Sequence, residues 1–171
     1  MRMDKLHQRI GAVSNAQVGR DFEQAAKQFF QQEGLLLRPN LVVPVGVERD
    51  LKDHAFDLGC HSQKVLVECK SHRWTAPNDN VPSAKLTVWN EAMFYFLLSP
   101  PDYRKIMFVL RHLSTKRGET LAEYYIRTYR HLIPSDVEVW EYDELTKSAT
   151  QLQINKSELQ PREYMLPPEA F

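Results

Sequence analysis

Asp57, Glu68 and Lys70 lie within one short stretch, HAFDLGCHSQKVLVECK, whose layout brings their charged groups together. Two apolar runs, residues 54–60 and 64–70, flank the polar break His61-Ser62-Gln63, the pattern of a β-hairpin. Closure with two residues (Ser62-Gln63), or with four centred there, sets position 60 opposite 65 and Asp57 opposite Glu68. Side chains alternate along a strand, so Asp57, Glu68 and Lys70 share one face. The other face carries Phe56, Leu58, Cys60, Val65, Val67 and Cys69. Burial of that apolar face fixes the register, because a one-residue slip would bury the acids. Carboxylates opposed across a ribbon repel, and the pair therefore predicts a cation between them. Hard oxygen ligands suit Mg²⁺ or Mn²⁺, which acidifies bound water and polarises a phosphoryl oxygen. Lys70 can orient that water or offset charge growing on the phosphate. The expected chemistry is phosphodiester hydrolysis.

The rest of the chain must position this hairpin. Residues 1–13 predict a short leading helix through Leu6, Ile10 and Val13. Ser14 or Asn15 can cap a helix reaching about Gln32 and stopping before Gly34. Val18, Phe22, Ala25, Ala26, Phe29 and Phe30 form its apolar stripe. Glu23 falls just past the border of that stripe, where it could reach a neighbouring site. Residues 35–47 read as a strand whose Pro39 and Pro44 place it at an edge or a bend. After the loop at 71–80, Pro82 opens a helix to about Leu98 that is apolar around most of its girth, which predicts deep burial. A buried strand at 104–111, an amphipathic helix at 120–133 and an alternating strand at 137–142 follow. Beyond Glu144 the pattern weakens, and the proline-bearing tail reads as an extended arm. Strands two and three are antiparallel neighbours, and the helix after them forces a crossover, so the sheet is mixed. The fold class is α/β, a central mixed sheet flanked by helices.

The 171 residues suffice for one domain with a sizeable core. The longest apolar run, residues 93–98, is too short to cross a bilayer, so no membrane partner is expected. Two cysteines without secretory features point to a cytoplasmic setting, and the register sets Cys60 and Cys69 against different residues, so no disulfide is predicted. With 22 basic and 22 acidic residues the formal net charge is zero, which counts modestly against a dedicated nucleic-acid binder. Yet Arg104, Lys105, Arg111, His112, Lys116 and Arg117 cluster in an acid-free stretch, and such separation can leave a basic face on a neutral protein.

This αβββαβ order, with Asp57 and the Glu68-Cys69-Lys70 tripeptide on the second and third strands, resembles the PD-(D/E)xK nuclease superfamily, the restriction-endonuclease-like fold. The resemblance covers roughly residues 15–111. Phe56 stands where the name-giving proline would be. The resemblance implies a Mg²⁺- or Mn²⁺-dependent endonuclease acting on DNA in restriction, repair or recombination. It assigns Asp57, Glu68 and the Cys69 carbonyl to the metal, Lys70 to catalysis, and Glu23 to the first-helix glutamate that many members use nearby. His72, Arg73, Trp74, Lys85, Arg111, Lys116 and Arg117 are then candidates for DNA contact. Residues 15–144 would be the nuclease-like domain, with an extension at 1–14 and an arm at 145–171. One such centre cuts one strand, so double-strand cleavage would need a homodimer or repeated nicking.

Other residue types in this stretch point to other chemistries. Cys69 with His54, His61 or His72 suggests a thiol hydrolase, but the register turns Cys69 to the apolar face. Cys60, His61, Cys69 and His72 have zinc-ligand identities without zinc-finger spacing. The rival of a different class is a catalytically silent nuclease-fold module for DNA binding or assembly. Members of that kind generally lose an acid or the lysine, and here Glu23, Asp57, Glu68 and Lys70 are all present.

Overall fold

In a computed structural model, residues 14–154 are described. The leading helix expected in residues 1–13 and the tail from 155 lie outside them. Ser14 caps α1 (Asn15–Gln32), its hydroxyl accepting from the Gln17 amide at 3.2 Å. The helix ends at Gly34, whose φ of 82° suits a residue without a Cβ, and the Leu35 amide closes back on the Phe30 carbonyl. Of the predicted stripe, Phe22, Ala26, Phe29 and Phe30 are buried, whereas Val18, near the start of the helix, stands 38% exposed.

The following strands form an antiparallel meander: β1 (Arg38–Val47), β2 (Asp50–Cys60) and β3 (Val65–Lys70). β1 is the edge strand, as its prolines require. α2 (Ser83–Leu98) crosses over to β4 (Arg104–Leu110), which runs parallel to β3. A two-residue ribbon follows, β5 (Leu113–Ser114) with β6 (Glu119–Thr120). Thr120 then caps α3 (Leu121–Tyr129) in a reciprocal box with Glu123. The helix predicted to 133 gives way to a 3-10 turn at Arg130–Leu132. β7 (Val137–Asp143) pairs parallel with β4, and β8 (Ser148–Leu152) pairs antiparallel with β7. The result is a six-stranded mixed sheet in the order β1-β2-β3-β4-β7-β8. β8 extends the sheet into the stretch at 145–171 whose sequence predicts an arm, so the start of that stretch is part of the sheet.

Each face of the sheet has its own core. Phe22, Phe29 and Phe30 of α1 pack on Leu58, Val67, Ile106 and Phe108. On the opposite face, Trp89, Met93 and Phe96 of α2 and Tyr125 of α3 pack on Val43, Phe56, Leu66, Met107 and Val109. Two sequence expectations change here. α2 buries one side only, and Val88, Phe94 and Leu97 stand 42%, 54% and 61% exposed on the other. No element among the described residues covers that side, so its apolar girth does not translate into deep burial.

The second change concerns β2. Phe56 and Leu58 were expected on one face, yet Phe56 stacks on Phe96 of α2 while Leu58 joins the α1 core. The β1–β2 register is continuous on both sides of the switch, with Pro39 opposite Leu58 and Leu41 opposite Phe56. Between them Asn40 has φ 53°, and the Asn40 and Asp57 positions drop out of the pairing. Apolar demand from two layers turns the strand over at Asp57. Gly59 permits the close packing beside this turn, because a Cβ there would meet a Leu41 methyl at 2.5 Å and the Val65 carbonyl oxygen at 2.7 Å.

Candidate active site

The hairpin closes through the four residues 61–64, and Cys60 faces Val65 as expected. The β2–β3 pairs end at Leu58 opposite Val67, one step before Asp57 and Glu68 would face each other. There the Asp57 carboxylate takes over from the ladder: its Oδ2 accepts from the Cys69 amide at 2.7 Å. Alternation along β3 sends Glu68 and Lys70 to the α2 side and Cys69 toward α1. Lys70 Nζ lies 2.5 Å from Glu68 Oε2 and 3.9 Å from Asp57 Oδ2. The two acids and the amine thus converge, with Lys70 in contact with both.

Burial sets the electrostatics. Glu68 is 7% exposed. Desolvation is the largest influence on its carboxyl, Lys70 opposes it and Asp57 reinforces it, and the pKa is raised to about 6. Burial works against the Lys70 ammonium, but Glu68 and Asp57 more than offset it and hold the group above its usual range. Glu23, half-buried on α1, feels the same field. Its carboxyl is raised by burial and by Asp57, against Lys70 and Arg20. Burial, with Asp57 adding to it, pushes the Cys69 thiol well above its ordinary range, which removes the thiolate that a cysteine hydrolase needs. Among the described residues, no group of three or more His, Cys, Asp or Glu side chains is gathered as a ready-made metal cluster.

A cavity of about 270 Å³ opens between this cluster and α2, bounded by Asp57, Glu68, Lys70, His54, Glu91 and Tyr95. His54, Glu91 and Tyr95 are not among the metal-site residues expected from the sequence, where His54 figures only as a possible partner of Cys69. The His54 ring stacks on Tyr95 at 3.7 Å and 14° and meets the edge of Phe56 at 4.8 Å. Its Nε2 stands 3.8 Å from Glu68 Oε1. Strict alternation would have sent His54 to the face opposite the acids, and the switch at Asp57 brings it round to them.

The candidate DNA contacts separate into two kinds. His72 is tied inward, its Nδ1 accepting from Trp89 Nε1 at 2.8 Å; burial, with the nearby cations Lys85 and Lys70, lowers it to about 4. Trp74 is 4% exposed, under the Arg117 guanidinium at 4.9 Å and against the Tyr124 ring at 5.3 Å, so its ring offers no open platform to a base. Arg73 pairs with Glu144 at 2.8 Å and Arg111 lies 3.5 Å from Glu141. Lys85, Arg111, Lys116 and Arg117 are exposed. The 71–80 loop and the β5–β6 ribbon are knitted together: the Trp74 amide donates to His112 Nδ1 at 3.1 Å, and Ser114 Oγ donates to Asp79 at 2.8 Å. Both follow strand ends that pair beside Lys70, so their basic groups stand at the same end of the sheet as the acids.

No protein-family model, no curated protein and no solved structure matches the chain. No helix among the described residues is long and apolar enough to cross a membrane.

Proposed function

We propose that the chain is a metal-dependent deoxyribonuclease of the PD-(D/E)xK kind, hydrolysing DNA phosphodiesters at the cavity between the β2–β3 hairpin and α2. One observation carries this reading: Lys70 Nζ contacts both acids, 2.5 Å from Glu68 and 3.9 Å from Asp57, at the point where the strand ladder opens. The order α1-β1-β2-β3-α2-β4 supports the restriction-endonuclease-like core that the sequence resembles.

The donors suit a divalent ion. Asp57, Glu68, Glu23 and the Cys69 carbonyl are hard oxygen ligands, and Asp57 lies close enough to raise the pKa of both Glu23 and Glu68. His54 Nε2 adds a buried polar atom without a hydrogen-bond partner. When bound, Mg²⁺ or Mn²⁺ supplies Lewis acidity at a phosphoryl oxygen and lowers the pKa of water. The remaining work belongs to the chain. Lys70, kept as an ammonium by its two acids, donates a hydrogen bond that orients the attacking water in line with the leaving 3′ oxygen. It also offsets charge growing on the phosphate. The exposed Lys85, Arg111, Lys116 and Arg117 would meet backbone phosphates, which give affinity rather than sequence choice.

The test is cleavage of supercoiled plasmid, branched DNA and single-stranded DNA with Mg²⁺, Mn²⁺ or EDTA. Metal-dependent cutting should disappear in Asp57→Ala and Lys70→Ala while the fold, checked by circular dichroism, persists. No cutting of any form, together with DNA binding in EDTA, would replace this reading with the silent nuclease-fold module.

A further inference from the structure

Buried polar atoms in folded proteins nearly always have a hydrogen-bond partner, and an exception asks for a cause. His54 Nε2 is such an exception: it is buried and makes no hydrogen bond. Its direction is set by packing. Tyr95 covers one face of the ring at 3.7 Å, and Phe56 is engaged at 4.8 Å with the planes nearly perpendicular at 85°. Held this way, Nε2 points to Glu68 Oε1 at 3.8 Å, beyond hydrogen-bonding distance. Two donors that each stand about 2.1 Å from one ion can be at most about 4.2 Å apart, and 3.8 Å falls inside that limit. With its proton on Nδ1, the neutral ring offers a lone pair at Nε2. A histidine that merely filled the core would have its inner nitrogen satisfied. Here the ring belongs to a residue that lines the same cavity as both acids, with that nitrogen on the Glu68 side.

We propose that His54 Nε2 is a further ligand of the divalent ion held by Asp57 and Glu68, giving a mixed nitrogen–oxygen centre that takes Mn²⁺ ahead of Mg²⁺. The proposal rests on the reading of those two acids as ion-binding. Its chemistry is that an imidazole nitrogen adds affinity for transition ions and little for Mg²⁺, which prefers oxygen and retained water. Tyr95 and Phe56 hold the ring in place in advance, so little ordering remains for the ion to enforce.

The experiment is pulsed electron paramagnetic resonance of Mn²⁺ bound to the full chain, with titration calorimetry of Mn²⁺ and Mg²⁺. The wild type should show ¹⁴N modulation from a directly bound imidazole, and His54→Gln should lose it. In that variant Mn²⁺ affinity should fall about tenfold or more while Mg²⁺ affinity changes little. His54→Asn gives the same readouts if the Gln variant does not fold. Mn²⁺ bound by the wild type without nitrogen coupling, or coupling that survives both substitutions, overturns the role of His54 and leaves the acids as the ion site. A wild type that binds no Mn²⁺, and an Asp57→Ala variant indistinguishable from it, overturns the ion site and this inference together.

Discussion

Replacing Glu68 by glutamine should make the metal-free protein more stable at neutral pH. Glu68 is 7% exposed, and burial lifts its carboxyl from the ordinary 4.5 to about 6, against the pull of Lys70. That step corresponds to about 2 kcal/mol between the protonation states. Because the folded pKa lies above the unfolded one, the folded chain keeps this proton longer than the unfolded chain does. Its contribution to stability is therefore fully present below pH 4.5 and is lost as pH rises through 6. Glutamine has the same shape and no charge, so the variant escapes this loss. Lys70 is not stranded by the change, since Asp57 lies 3.9 Å away. In urea unfolding with EDTA present, wild type and Glu68→Gln should coincide near pH 4.5, and by pH 8 the variant should lead by about 2 kcal/mol. Titrations of groups remote from Glu68 cancel in the difference. Adding Mn²⁺ should then stabilise the wild type and leave the variant nearly unmoved. A wild type that is the more stable at pH 8, or a difference that does not vary with pH, would show that the Lys70 contact outweighs burial and would refute the reasoning.

Removing Lys70 acts on the same carboxyl from the other side. Lys70→Met should raise the Glu68 midpoint beyond about 6 in a ¹³C NMR titration, and plasmid cutting should fall about 100-fold or more. His72 carries the opposite sign. Its pKa is lowered from 6.5 to about 4, so its contribution is present above 6.5 and lost as pH falls through 4. The loss amounts to about 3 kcal/mol at most and should be absent from His72→Gln when unfolding is compared at pH 7 and pH 4. Asp57→Asn keeps an acceptor for the Cys69 amide, whereas Asp57→Ala should cost about 1–2 kcal/mol more in urea unfolding; both should abolish cutting.

Where local pattern and tertiary packing agree, the sequence was legible. The α1 stripe from Phe22 to Phe30, the apolar runs of β3 and β4 and the proline-marked edge strand all follow from spacing alone, as does the contact of Lys70 with both acids. What escaped reading depends on distant partners. β8 has no apolar run, and hydrogen bonds to β7 rather than its own composition hold Ser148–Leu152 in the sheet. The β5–β6 ribbon is two residues on each side and is anchored by Ser114 and Arg117 to Asp79. Trp74 is a candidate for DNA contact by its place in the loop after Lys70, beside His72 and Arg73, and only the fold of that loop onto Arg117 and Tyr124 buries it. His54 was concealed by a break in strand alternation that needs two cores pulling in opposite directions, which no window on one strand can reveal. The helix start expected at 120 agrees with α3, and the T-x-x-E signature at Thr120 and Glu123 is its physical reason.

The turnover of β2 has a consequence for how the centre can move. Asp57 keeps its position because Phe56 is drawn toward α2 and Leu58 toward α1. Its bond to the Cys69 amide ties that bend to the neighbouring strand. Slackening on either side would let the strand straighten and carry the acid away. The two acids and the amine are therefore not borne on a flap that can swing while the body stays folded; they assemble and disperse with the cooperative unit as a whole.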